Sequence, residues 1–350
     1  VGEVPVPEVR VTGLGSWPGT DQAAVTRLTL GELPELAYLP ELPFRGPESG
    51  MIGRACAILD SVDTDRVPSG WRLSPGTSLE QVRSVRRLRE SVDLLEEEAQ
   101  EYPGRITLGL AGPWTLAACL ELERGEKVLS DLGAVRDIAQ ALVGGAERWL
   151  AEVQRRLPCP VDFRWDEPCL SAVVQGRIRT ASKYRHYDPV DREVVASLLG
   201  EAVEAMTSRG ARVAVHSCED VPPLAILAQA AVPGWSVPAA HLDPAQVGRT
   251  DRMDQIGEHL SAALHSDGAR GEGLWLGLGP VDRGEALPSV DALVDQALAV
   301  LRPLELGPEV CGRLVLTPTC GLVGFREPEA LELLRRLGAA AELLPELLSR

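Results

Sequence analysis

In RVAVHSC (212–218) a short β-branched run, Val213 to Val215, gives way directly to His216 and Cys218. Such a run is too short for a helix and reads as a buried strand whose last residues carry chemistry. The same design recurs in VTGLGS (11–16), LAYLP (36–40), ITLGLAGP (106–113), VDFRWDEP (161–168), GWSVPAAHL (234–242), GLWLGLGP (273–280) and RLVLTPTC (313–320). Longer segments between these runs repeat apolar residues at three or four, the helical period. They cover 77–101, 131–156, 189–208, 251–266, 289–304 and 327–337, and Thr77 and Glu80 have the spacing of a capping box. Strands separated by helices of this length pair in parallel through right-handed crossovers. Eight such units predict an α/β fold, a single (β/α)8 TIM barrel over residues 1–350.

Two stretches exceed a minimal barrel. LPELPFRGPESG (39–50) and SVDTDRVPSGWRLSPGTS (61–78) read as long loops or insertions. The competing doubly wound sheet has only GLGSWPG (13–19) in its favour, and that run lacks the third glycine of a dinucleotide fingerprint.

The formal charge of −16 argues against nucleic acid as a partner, because phosphate binding needs clustered Lys and Arg. No run approaches the length of a membrane span, and VGEVPVPEVR (1–10) lacks the basic and apolar regions of a leader, so a cytoplasmic location is expected. Seven scattered cysteines do not form a disulfide framework. Cys56, Cys119, Cys169 and Cys311 fall in apolar stretches and read as buried thiols.

In a barrel, chemistry gathers where strands end. Those ends carry Ser16, Glu41, Trp114, Asp166, Glu167, His216, Cys218, His241 and Cys320. One imidazole and two thiols make three of the four ligands of a zinc site, and a catalytic zinc keeps one position open. Asp166 and Glu167 need partners, Arg164 and Arg177 being the nearby cations, or else a substrate. Ser16 and Trp17-Pro18-Gly19 can offer backbone N–H groups to a carboxylate, and Trp114 can wall the pocket.

Taken in order, VTGLGSWPGT (11–20), WDEP (165–168), VHSC (215–218) and LTPTCGLVG (316–324) resemble the catalytic C-terminal barrel of cobalamin-independent methionine synthase. LGLAGPWTLA (108–117) also resembles uroporphyrinogen decarboxylase, of the same superfamily. The resemblance implies zinc, one per chain, on His216, Cys218 and Cys320. It implies Asp166 and Glu41 as acids holding the amino group of homocysteine, and Leu14, Gly15 and Ser16 as the segment receiving its carboxylate. The implied activity is transfer of a methyl group to a thiol that zinc has made acidic, giving methionine.

Two positions depart from that family. WSVPAAHLD (235–243) has no glutamate to complete the zinc sphere, leaving Glu219, His241 or the substrate for the fourth place. LGLGP (276–280) sets Leu278 where the family has a histidine that assists methyl transfer from a folate. The donor is therefore open between a methylfolate and a methylcorrinoid, the latter implying a corrinoid carrier protein as partner. Two other readings compete: a barrel that binds a thiol metabolite or a partner protein without catalysis, and a decarboxylase like the porphyrinogen branch.

Overall fold

The computed structural model describes residues 7–242, 250–281 and 286–349. Residues 1–6, on which the reading of the N-terminus rests, and Asp243 lie outside the described residues. Eight parallel strands form the barrel: β1 (Arg10–Val11), β2 (Leu36–Tyr38), β5 (Arg105–Ala111), β6 (Val161–Asp166), β7 (Val213–His216), β8 (Gly234–Pro238), β9 (Gly273–Leu278) and β10 (Leu314–Pro318). Each of the eight expected runs supplies one. The sheet runs from β2 through β5 to β10 and on to β1 by continuous parallel pairing. β1 and β2 are too short to pair along their length. The circle closes beyond them, where Ser16 bridges Glu41 and Glu41 N donates to Gly15 O at 2.9 Å.

Side-chain alternation divides the core into two layers. Val213, Val215, Leu274, Leu276, Leu314 and Leu316 face the helices, while Ala214, Trp275 and Val315 join Leu14 and Leu36 inside the barrel. β6 shows the alternation most sharply. Phe163 and Trp165 turn outward, the Trp165 indole donating to Ala202 O at 3.1 Å, and Asp162, Arg164 and Asp166 turn inward.

The structure corrects the sequence reading at three places. The helix Leu79–Glu98 is capped by Ser78, whose side chain accepts from Gln81 N, while Thr77 instead donates to Asp63 at 2.7 Å. The last helix runs Glu327–Leu348, past the expected end at Leu337, because Ala340, Ala341 and Leu344 continue its buried stripe beyond Gly338. The stretch 61–78 is not all loop: β3 (Thr64–Val67) and β4 (Gly70–Leu73) make an antiparallel hairpin, tied to the barrel by Leu73 N donating to Glu121 O at 2.7 Å. Among the described residues no helix is long and apolar enough to cross a membrane.

Candidate metal centre and its acid cluster

β7 ends on His216, and Cys218 follows as the chain leaves the sheet; β10 ends on Pro318, with Cys320 two residues on. Their ligand atoms all lie within 4.8 Å of one another, and the two Sγ atoms are 3.6 Å apart. His216 Nδ1 is 3.0 Å from Ser236 Oγ, whereas Nε2 is buried, has no hydrogen bond among the described residues, and is the nitrogen left to ligate. Two thiolates on one tetrahedral zinc, with Zn–S near 2.3 Å, stand about 3.8 Å apart. The observed spacing suits that geometry and lies far outside disulfide bonding range. The hydrogen bond with Cys218, and then the imidazole of His216, hold the Cys320 thiol down to about 4, while the same contact pushes Cys218 up. The shifts are opposite because the two thiols share one hydrogen bond, which favours the thiolate on Cys320 and the thiol on Cys218.

The segment after β1 is brought against the Cys320 loop. Leu322 N donates to Ser16 O at 2.6 Å, and a Cβ at position 321 would lie 2.2 Å from Ser16 Oγ, so Gly321 permits this approach. Gly15 and Ser16 thus stand beside the metal ligands. Trp17 N is already bound to Glu41 O at 2.8 Å and is not a free donor.

Next to them lies a cluster of four buried charges. Arg164 grips Asp166 with two bonds, Nε to Oδ1 at 2.7 Å and Nη2 to Oδ2 at 3.2 Å. Its Nη1 donates to Gly13 O at 3.3 Å. Arg54 reaches in from the helix Met51–Ile58, its Nε 3.7 Å from Glu41 Oε1, while Nη2 donates to Pro40 O at 2.8 Å. Glu41 Oε1 has no hydrogen bond. Burial pushes the Glu41 carboxyl up to about 7, with Arg54 opposing and Asp166 adding to the rise. A Cβ at position 109 would sit 2.7 Å from Arg164 Nη2, so only glycine there leaves room for the guanidinium. Ser236, Arg54 and Gly109 were not singled out from the sequence.

Other predicted residues are placed elsewhere. Glu167, one residue past Asp166, turns to the opposite side and caps the helix Pro113–Cys119, accepting from Trp114 N at 3.0 Å and Thr115 N at 2.7 Å. Burial pushes its carboxyl up to about 7 against those bonds. Trp114 is fully buried, and its indole donates to Val195 O at 3.0 Å, toward the helix Arg192–Thr207 and not into the barrel mouth. Both therefore serve packing and capping in place of the substrate contacts expected of them. Leu14 is inside the barrel, in the interior cluster. Glu219 accepts from Ala172 N at 2.8 Å and from Ser171 N, with Arg177 3.5 Å away, so its oxygens are engaged. His241 is 3.8 Å from exposed Asp220, and neither it nor Glu219 joins the ligand set among the described residues. Leu278 packs in the helix-facing core. Cys56 and Cys311 are buried as expected, but Cys119 and Cys169 are only partly buried and hydrogen-bond one another.

No family model and no curated protein matches the chain. Among solved structures it is similar to a B12-independent methionine synthase from Shewanella sp. W3-18-1, solved in complex with selenomethionine. The TM-score is 0.62 at 14% identity, with 97% of this chain and 99% of that chain covered. The likeness is one of fold. A D-allulose 3-epimerase from Methylomonas sp. aligns over 98% of this chain and 99% of its own, at 13% identity and a TM-score of 0.46.

Proposed function

We propose that the chain is a zinc-dependent methyltransferase that makes a small thiol nucleophilic at the barrel mouth, with homocysteine as the expected thiol and methionine as product. The observation that carries this reading is the pair of thiols 3.6 Å apart beside an imidazole whose buried Nε2 has no partner. A buried ring nitrogen without a hydrogen bond is costly unless something else uses its lone pair. His216, Cys218 and Cys320 would hold zinc, with the fourth position left to the substrate, since Glu219 is engaged elsewhere and His241 does not join the ligand set among the described residues. Zinc bound there would lower the pKa of an incoming thiol, so that it reacts as thiolate at neutral pH.

The chain's own residues then have distinct tasks. Ser236 fixes the ring of His216 through Nδ1. Gly15 and Ser16, held against Gly321, receive the substrate's carboxylate. Glu41 and Asp166, with their arginines, shape the polar wall behind it. The fold of the Shewanella synthase supports the reading in general outline, and the ligand set supports it in chemistry. The methyl donor is proposed as a methylcorrinoid, free or on a carrier protein, or a methylfolate; Leu278, buried in the helix-facing core, supplies no proton at its own position to assist a folate. That same residue favours the second reading, a barrel that binds a thiol without methylating it. A decarboxylase gains nothing here, because both buried arginines of the site already hold carboxylates.

The test is to incubate the zinc-loaded chain with homocysteine and, separately, methylcobalamin and methyltetrahydrofolate, following loss of free thiol and appearance of methionine. Transfer from one donor, abolished by a chelator, is expected. Zinc and thiol binding with no transfer from either donor would favour the second reading.

A further inference from the structure

We propose that Arg164 sets the substrate class of this site: by holding both oxygens of Asp166 it withdraws that carboxylate from substrate recognition. The site then selects small thiol carboxylic acids whether or not they carry an α-amino group. This rests on the thiol-activating reading above.

The geometry leaves Arg164 no other position. It and Asp166 are two residues apart on β6, so both point into the barrel and meet side by side. The Arg164 side chain is 1% exposed and that of Asp166 8%, and the two bonds between them are charge-assisted. The third bond, to Gly13 O, pins the guanidinium to the end of β1. Asp166 cannot turn to a substrate ammonium without abandoning a buried cation, which is strongly unfavourable.

Glu41 does not take over the task. Arg54 lies beside it, and the donors of Arg54 are fixed by Leu39 O, Pro40 O and Gly109 O, so this cation cannot withdraw either. Two carboxylates face two guanidinium groups, and the cluster is balanced before any substrate arrives. A substrate ammonium therefore finds no net attraction in a cluster whose charges are already paired. Glu41 Oε1, buried without a hydrogen bond among the described residues, suits a hydrogen bond from a neutral donor. Recognition then falls to the thiol at the metal and the carboxylate beside Gly15 and Ser16.

The pair of probes is homocysteine and 4-mercaptobutyric acid, which differ only in the amino group. Calorimetric titration of the zinc-loaded protein should give dissociation constants within about fivefold of each other, whereas a free buried carboxylate meeting the ammonium would separate them by roughly tenfold or more. In Arg164→Gln, with Asp166 released, the preference for homocysteine should rise by about tenfold. Preference for homocysteine beyond about fivefold in the wild type overturns the inference but leaves the thiol site standing. An unchanged ratio in a folded Arg164→Gln protein overturns the role of Arg164. A chain that binds neither zinc nor either thiol overturns the functional reading and this inference together. The wild-type ratio needs no variant, so it decides even if Arg164→Gln does not fold.

Discussion

Replacing Ser236 by alanine should weaken zinc binding without unfolding the barrel. Ser236 Oγ lies 3.0 Å from His216 Nδ1, and the two residues are register partners on β8 and β7. With Oγ accepting the Nδ1 proton, the imidazole is the tautomer whose Nε2 lone pair is available, and its ring plane is fixed. Alanine removes one buried hydrogen bond, a loss of about 1–1.5 kcal/mol. It also lets the other tautomer, which cannot ligate through Nε2, compete. Together these predict a drop in zinc affinity of roughly tenfold to a hundredfold, the range seen when the outer partner of a metal-bound histidine is lost. Competition against a chromophoric chelator at fixed pH measures it, and a melting curve confirms the fold. Ser236→Thr keeps the hydroxyl and should recover most of the affinity. A folded Ser236→Ala protein with wild-type zinc affinity would refute this reasoning.

Three further outcomes are expected. The Glu41 carboxyl is raised to about 7 from 4.5, so between those pH values the folded chain keeps a proton that the unfolded chain has released, and stability falls as pH rises through that window. Glu41→Gln should therefore flatten the decline in urea-unfolding free energy between pH 5 and pH 7.5, by about 3 kcal/mol at most; equal declines in both proteins would contradict it. Glu167→Ala strips the helix at Pro113 of its cap and should lower stability by about 2–4 kcal/mol while leaving zinc content unchanged, and loss of zinc in a folded variant would return Glu167 to the site. Gly109→Ala crowds Arg164 and should cost about 1–3 kcal/mol in the same unfolding assay, against almost nothing for Gly76→Ala, where the added methyl group meets open space.

The strands were legible because each is a short apolar run ending abruptly in a polar or proline-containing turn, and eight of them leave few topologies. The grouping of His216, Cys218 and Cys320 was legible for a related reason: His, Cys and Cys at strand ends are rare and chemically specific. What lay beyond reach was direction. Glu167 follows Asp166 by one residue, and in a strand that one step carries the side chain to the other face; closeness in sequence to a site acid hid a helix cap. Trp114 likewise stands on the first turn of a helix, where neither its size nor its position says which neighbour it meets. The hairpin of β3 and β4 was masked by its charge, since TDRV and GWRL each bury only one residue in four. Ser236 and Gly109 carry no signal at all until β7, β8, β5 and β6 are set side by side, because their roles are contacts across strands. Arg164 was visible as a partner for the neighbouring acids, but its choice of Asp166 over Glu167 depends on the same alternation.

Elemental mass spectrometry of the purified chain beside Cys320→Ser tests most directly whether His216, Cys218 and Cys320 form a zinc site. About one zinc per chain is expected in the wild type and little in the variant, with added homocysteine strengthening retention in the wild type alone. Zinc absent from a folded wild type, or retained equally by Cys320→Ser, would contradict it.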